Sequence, residues 1–542
     1  MAVDYLSALN AGSGLNTTQI VDALVEASRA PKEAAINKKV DENNVKISGF
    51  GTLKQQFETF KTSMTSLDGE IGLSVASGSS NIETIITDKT KISDFSHNVA
   101  VSQLAQNHTL VFANNFTTEN ATIGQGTLLF DFGSWNRSNS TFAKDSSITS
   151  KTLTINSTNN TLTGLRDAIN DAGMGVTASI IQTATSAYSL VVKSNSGSGN
   201  EMKITATEDS SNAGLSTFGF STYSSSKETI IGQDANLTID GVSVTRSSNT
   251  ITDLIDGVQL KLKGTVSSAV TVNASYDETK ALANMNSFVT SLNTLNTKLA
   301  ELTNRGLNGE TAGALAGDSV ARSIQSRIRS MTTRPIEGYS TESVYLTNYG
   351  ISTQLDGSIS FDEAKFLTAY RSNPTDLAAI FASQVKTDSS SVTAQVSGDD
   401  YVAGVYNFAL SSGTATISSS SMTASSGKYY TLSGNTAGLT VTTSLSSTTN
   451  SIFLGRSLLD TLSSYADTIL SSSGTVTTQI NSKNDNITEL NQDLADLDTK
   501  MIELRERYVT QFSSMERVVR NLKDTGDYIK NFTDTMRAAK EN

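Results

Sequence analysis

Apolar residues recur at alternating steps of three and four near the C-terminal end of the chain: Ile487, Leu490, Leu494, Leu497, Met501, Leu504 and Tyr508, with charged and amide residues between them. Leu53, Phe57, Phe60, Met64 and Leu67 repeat those steps near the N-terminus. Seven-residue spacing keeps one seam of a helix turned toward a partner helix, so both segments predict coiled-coil or bundle packing. A charge at Leu494 or Leu504 should weaken such a stalk. Asn16, Thr17 or Thr18 is positioned to cap a helix carrying Ile20, Val21, Leu24 and Val25. Pro31 predicts a restart of that helix, because proline is tolerated in a first turn. Gly49 and Gly51 predict a local weakening, at about 1 kcal/mol each relative to alanine. Residues 1–15, small and polar with Gly12 and Gly14, predict disorder.

Between the two heptads the period changes. Ile82–Ile86, Val99–Leu104 and Thr109–Phe112 are short strand patterns. Leu153 and Ile155 alternate, and Asn160 or Thr161 then caps a helix whose apolar face is Leu162, Leu165 and Ile169, stopped by Gly173. Strands follow at Val176–Ile181 and Ser189–Val192, and a hairpin at 237–245 turns on Asp240-Gly241. Helix returns after Asp277 with the stripe Leu282, Met285, Phe288, Leu292, Leu295, Leu299 and Leu302, closed at Asn304–Gly306. Shorter helices are expected near 317–331, 361–370 and 375–383. A Ser/Thr-rich β segment occupies 386–450, with strands near 402–410, 428–432 and 439–443. The last helical arm is expected to begin near Leu454 and, after a break at 471–475, to run to the end.

The fold class is therefore α+β and multidomain, with a helical coiled-coil or bundle stalk built from both termini and carrying β-rich head domains. The expected divisions are a terminal helical leg, partly disordered in the monomer, from 1–40 and 510–542; a helical stalk domain from 41–80, 275–385 and 453–509; a β head from 81–122 and 226–274; an outer β-rich head from 123–225; and a β insertion at 386–452.

Composition narrows the chemistry. The 542 residues carry a net charge of −12, which argues against nucleic acid, since phosphate binding needs clustered Lys and Arg. No cysteine is present, which excludes disulfides and thiolate sites, and three prolines suit long helices. No stretch approaches the roughly 18 apolar residues that span a bilayer. The start lacks the basic and apolar regions of a cleavable signal peptide. His97 and His108 are the two histidines; His97 lies near Asp94, and ordinary packing or surface explains it better than metal or catalytic duty. Asp356-Gly357 and Asp362 resemble a calcium loop faintly, but a hairpin turn followed by a helix cap explains them better. No catalytic or nucleotide motif is present, so neither an enzyme nor a cofactor or metal site is expected.

The heptads at opposite ends flank β domains able to fold without them, which favours assembly over a simple buried face. Several segments then carry a resemblance. SGLNTTQIVDALVEASRAPKEAAINKKV at 13–40 with ISGFGTLKQQFETFKTSM at 47–64 resembles the N-terminal region of the flagellar filament cap family, hook-associated protein 2 (FliD). TLTINSTNNTLTGLRDAINDAGMGVTASIIQ at 152–182 is similar to the hook-associated IN motif, which flagellins also carry. ANLTIDGVSVTRSSNTITDLIDGVQLKLKG at 235–264, GALAGDSVARSIQSRIR at 313–329, YGISTQLDGSISFDEAKF at 349–366 and RYVTQFSSMERVV at 507–519 continue the pattern in order. The segment 386–450 matches no part of it.

The resemblance implies a homo-oligomeric ring, usually a pentamer, on the distal end of the filament, outside the cell. It implies flagellin as partner, and export by the flagellar type III apparatus with an export chaperone through an uncleaved N-terminus. Flagellin would fold and insert beneath the ring instead of being lost. The expected coiled-coil and assembly seam is Leu24, Leu53, Phe57, Phe60, Met64, Leu67, Leu490, Leu494, Leu497, Met501, Leu504, Tyr508, Met515 and Leu522. Alternatives are a hook–filament junction protein or a flagellin, against which 235–264 and 313–366 argue, and a surface adhesin whose Ser/Thr-rich β domains bind host or surface glycans.

Overall fold

The computed structural model describes residues 16–89 and 91–538. The stretch 1–15, expected to be disordered, lies outside them. Eight α-helices are described: α1 Thr17–Leu67, α2 Leu162–Asp171, α3 Glu278–Thr303, α4 Ser319–Thr333, α5 Glu363–Ser372, α6 Ala378–Phe381, α7 Leu458–Leu470 and α8 Thr475–Ala538. With them come many antiparallel strands, so the chain is α+β, with long helices at both ends and β-rich regions between. It divides into two compact units, one of Met1–Asp68, Met285–Ala369 and Asp376–Asn542, the other of Gly69–Asn284 and Tyr370–Thr375.

In the first unit, Asn16 caps α1, its side-chain oxygen accepting from the Gln19 amide at 3.2 Å. The helix then continues unbroken for 51 residues through Pro31, which sits inside it and does not restart it. The proline removes one backbone hydrogen bond, and the contacts α1 makes with α8 hold the helix across that gap. Gly49 is required where α1 meets the chain at 314–315: a Cβ there would lie 2.9 Å from the Ala314 Cβ. Gly51 meets nothing. The stripe Leu53, Phe57, Phe60, Met64 and Leu67 is buried. It faces α7, as the edge-on contact of Phe57 with Tyr465 and the ion pair of Lys61 with Asp467 establish. Two asparagines of α3 brace the hairpin Ile351–Thr353/Ile359–Phe361: Asn293 exchanges two hydrogen bonds with the Ile359 backbone and Asn296 donates to the Gly357 carbonyl. Asp356 closes that turn through Ser358, and Asp362 accepts from the Lys365 amide as a cap.

Residues 384–455 form two sheets over one core. One orders Gln384–Thr387, Ser447–Gly455, Gly404–Ser411, Thr414–Ile417 and Ser420–Ser421; the other orders Val392–Val396, Leu439–Thr443, Lys428–Tyr430 and Thr423–Ser425. Leu454 therefore lies in a strand that ends at Gly455, and the helical arm expected there starts at Leu458. Strand pairing also takes in 384–385 and 453–455, residues expected in the helical stalk.

The second unit holds two lobes. The inner lobe is a five-stranded sheet, Leu73–Ser77, Val266–Tyr276, Phe95–Gln103, Ala235–Ile239 and Val242–Arg246, facing a three-stranded sheet of Thr250–Ile255, Val258–Leu262 and Ile82–Ile86. Residues 73–77, expected in the helical stalk, are an edge strand here. The Asp240-Gly241 turn has both residues at positive φ, 50° and 83°, the type I′ geometry that the sequence pair favours.

The outer lobe joins the sheet Glu228–Ile230, Asn107–Phe116, Ala187–Ser196 and Val176–Ala184 to a second one of Glu201–Glu208, Gly126–Asn136, Thr141–Lys144 and Lys151–Ile155. Helix α2, capped by Thr161, buries Leu162, Leu165 and Ile169 against both. The expected limits of 123–225 are too narrow. Asn107–Phe116 and Glu228–Ile230 pair inside this lobe, because Leu110 and Phe112 belong to its core.

Candidate assembly surface

Two ion pairs fix how α8 lies on α1. Arg505 Nε stands 3.0 Å from Asp22, and an Arg29 guanidinium nitrogen 2.8 Å from Asp498. Both belong to one antiparallel register, which sets the α8 stripe 487–508 against the first half of α1. Leu53–Leu67 lies on α7, whereas the register sets the α8 stripe against the stretch of α1 that carries Val21, Val25, Ile36 and Val40. Heptad spacing specifies a seam but not its mate; charges at flanking positions choose the mate.

The candidate residues separate by burial. Leu497 and Met501 are each 6% exposed, Leu490, Leu494, Leu504 and Tyr508 are half-buried, and Leu24 is exposed, off the seam. Leu497→Asp is accordingly expected to weaken the α1–α8 pairing more than Leu494→Asp or Leu504→Asp. Burying an unpaired carboxylate costs at least about 2 kcal/mol, and chemical denaturation followed by helical circular dichroism reads the difference. Equal midpoints for the three variants would contradict this ordering.

Beyond residue 510 the register carries α8 past the first described residue of α1. Met515, Val518, Leu522, Ile529, Phe532 and Met536 there continue the steps of three and four, with Thr525 filling the one gap. All six are exposed, from 41% at Met515 to 66% at Leu522. A soluble chain rarely leaves so long an apolar stripe uncovered unless a partner covers it.

A second cluster was not legible in the sequence. In the outer lobe His108 is fully buried, its Nε2 2.9 Å from Glu228 Oε1, while its Nδ1 accepts the Met202 amide at 2.9 Å. The Arg137 guanidinium pairs with Glu201 and Glu228 at 2.5 Å each, and Glu201 also accepts the Trp135 amide at 2.6 Å. His108, Glu228 and Glu201 come from strands of both outer-lobe sheets and Arg137 from the turn just after Asn136, so the network ties those sheets together. An accepted amide proton makes Nδ1 the unprotonated nitrogen, which leaves Nε2–H to donate to Glu228 and the ring neutral. Burial pushes the His108 pKa below its ordinary 6.5, against the pull of Glu201 and Glu228; hydrogen bonds and charge from Arg137 draw Glu228 below the usual carboxylate range despite burial, which acts the other way. The unfolded chain therefore binds the histidine proton first. Outer-lobe stability is full above about pH 6.5 and falls as pH drops through the lower folded value, by at most about 1.4 kcal/mol per pH unit. Thermal unfolding at pH 7.5 and 5.5 checks this; His108→Gln should flatten the difference.

Two other arrangements resemble chemistry without supporting it. His97 meets Asp240 at 2.6 Å, not Asp94, at the surface, where Asp240 also accepts the Asn98 amide at 2.8 Å and the Phe95 ring lies 5.3 Å from the imidazole. Ser150 donates to Asp131 at 2.6 Å and accepts from Lys144, and the Lys144 ammonium also pairs with Asp131 at 3.0 Å, an arrangement that the ion pair and its hydroxyl account for by themselves.

Comparison with known proteins gives a consistent answer. Residues 232–524 match the model of the flagellar hook-associated protein 2 C-terminus, and residues 13–108 that of its N-terminus. The chain is 28% identical over 391 residues to flagellar hook-associated protein 2 of Escherichia coli O157:H7, covering 70% of this chain and 81% of that protein. Against the Salmonella typhimurium LT2 protein of the same name it is 27% identical over 390 residues, covering 68% and 78%. The crystal structure of the flagellar cap protein FliD D1-D2-D3 domains from Escherichia coli shares the fold with a TM-score of 0.52 at 24% identity, over 80% of this chain and 99% of that one. One family model spans more than half of the residues in chain order and a second takes up the N-terminal part: the chain belongs to the flagellar hook-associated protein 2 family, the filament cap proteins of the bacterial flagellum.

Proposed function

We propose that this chain works as a homo-oligomeric ring, a pentamer, at the distal tip of the flagellar filament, where exported flagellin folds and inserts beneath it and is kept from escaping. The observation that carries this reading is the uncovered stripe from Met515 to Met536, continuous with the α1–α8 seam. A filament lattice offers apolar helices of the same spacing to cover it. Leu24, Met515 and Leu522 then belong to that outward contact, and Leu497 and Met501 to the seam within one subunit. Export follows the flagellar type III route with a chaperone, read from an uncleaved N-terminus, and no catalytic step or cofactor is involved. A strain lacking the gene tests the reading: short or absent filaments with monomeric flagellin in the medium are expected, and normal filaments would overturn it. A second, separable activity is adhesion to glycans through the 384–455 segment. The observation that favours it is a cleft in that segment whose walls carry unengaged hydroxyls and no charge.

A further inference from the structure

The 384–455 segment carries a cleft of about 550 Å³ between the ends of its two sheets. Tyr406, Tyr430, Ser420, Ser421, Ser433 and Asn435 supply its polar and aromatic walls, with Ile417 and Leu432 as the apolar ones. No charged side chain lines it. That excludes recognition of a phosphate or a carboxylate by ion pairing, and equally of a cation.

The polar groups are uncommitted. Among the described residues the hydroxyls of Ser420, Ser421, Ser433 and Tyr430 and the side-chain amide of Asn435 have no hydrogen-bond partner. The Tyr406 hydroxyl, by contrast, donates to the Val402 carbonyl at 2.9 Å, which holds its ring in place as a wall. Ile417, which lines the cleft, is 2% exposed and belongs to the same core as Phe408, whose ring lies 6.0 Å from that of Tyr429. The turn at Ser418–Ser419, on the rim, holds both residues at positive φ, 44° and 71°. An aromatic wall held in place as Tyr406 is loses little freedom on binding.

From this geometry we infer that the cleft binds a neutral oligosaccharide. A sugar ring presents C–H groups on one face and hydroxyls around its rim. The face suits the tyrosine rings, and the rim hydroxyls, each donor and acceptor, match serine hydroxyls and an amide that also do both. The volume accommodates roughly two or three sugar rings, within the range usual for ligand clefts. The inference rests on the adhesive reading and is independent of capping.

The test titrates the purified full-length chain with maltotriose, chitotriose and a neutral galactosyl-N-acetylglucosamine oligosaccharide, by calorimetry and saturation-transfer NMR. A sialylated form of the last serves as the charged control. At least one neutral oligosaccharide is expected to bind in the millimolar range or tighter, and Tyr430→Ala to weaken it about tenfold or more. Ser421→Trp, at an exposed position, should fill the cleft and abolish binding while the melting curve stays unchanged. No binding by any of the neutral sugars, binding untouched by both folded variants, or preference for the sialylated form would each overturn the proposal. Cell attachment is scored separately with the Ser421→Trp strain. Attachment that persists after sugar binding is lost sinks the adhesive reading but leaves the site; attachment lost with sugar binding intact sinks the site.

Discussion

Arg137→Ala is expected to destabilise the outer lobe by about 3 kcal/mol, the lower end of the range for breaking a buried ion pair by removing one partner. The two carboxylates left behind are each 3% exposed at the side chain, and Glu228 relies on the guanidinium for most of its countercharge. The guanidinium itself keeps 24% of its side-chain surface, and water entering there moderates the loss. Arg137→Lys should recover only part of it, because an ammonium does not fork between two carboxylates as a guanidinium does. Limited proteolysis in rising urea, with fragments mapped to 106–232, reads the lobe directly. An outer lobe as resistant as the parent would show that Glu201 and Glu228 are satisfied without Arg137.

The second large effect belongs to assembly. Ile529→Asp combined with Phe532→Asp should leave the melting curve of the isolated chain unchanged, because both side chains are more than half exposed before any partner arrives. In the cell the same pair should abolish capping. Each apolar side chain of this size gains about 1.5–3 kcal/mol when buried, and burying an unpaired carboxylate costs more than the about 2–7 kcal/mol of an unpaired neutral polar group, so a contact built on the stripe reverses sign. Filament length and flagellin in the medium report the outcome. Filaments of normal length would remove the stripe from the cap contact.

Local patterns were readable where a few neighbouring residues decide the structure. Thr161 and the Leu162–Ile169 face gave α2, Asp277 a helix start and Asp240-Gly241 a hairpin, because caps and turns are satisfied within three or four positions. The family, too, was legible in ordered motifs. Pairing across long separations was not. The α8 stripe fits any apolar seam of the same period, and the ion pairs that join it to the first half of α1, Asp22 with Arg505 and Arg29 with Asp498, reach across more than four hundred residues. Asn107–Phe116 alternates like any half-buried strand, and nothing in its own pattern tells which lobe it joins. His108, Arg137, Glu201 and Glu228 are unremarkable as separate letters. They become one network only because strands from two sheets converge. Pro31 misled for a related reason: its local rule holds, but tertiary contacts along α1 outweigh it.

The way the β regions enter and leave the chain has its own consequence. Gln384 lies directly across from Gly455 in an antiparallel pair, and Gln106 is bridged to Gln233 at the neck of the outer lobe. Paired residues in such ladders sit about 5 Å apart. Each module is thus plugged in through two adjacent contacts, like a cartridge, and a short splice closes the socket when the module is withdrawn. Residues on either side of each pair of contacts are thus placed to be joined directly, so removing 384–455 or 106–233 asks little rearrangement of the chain that remains.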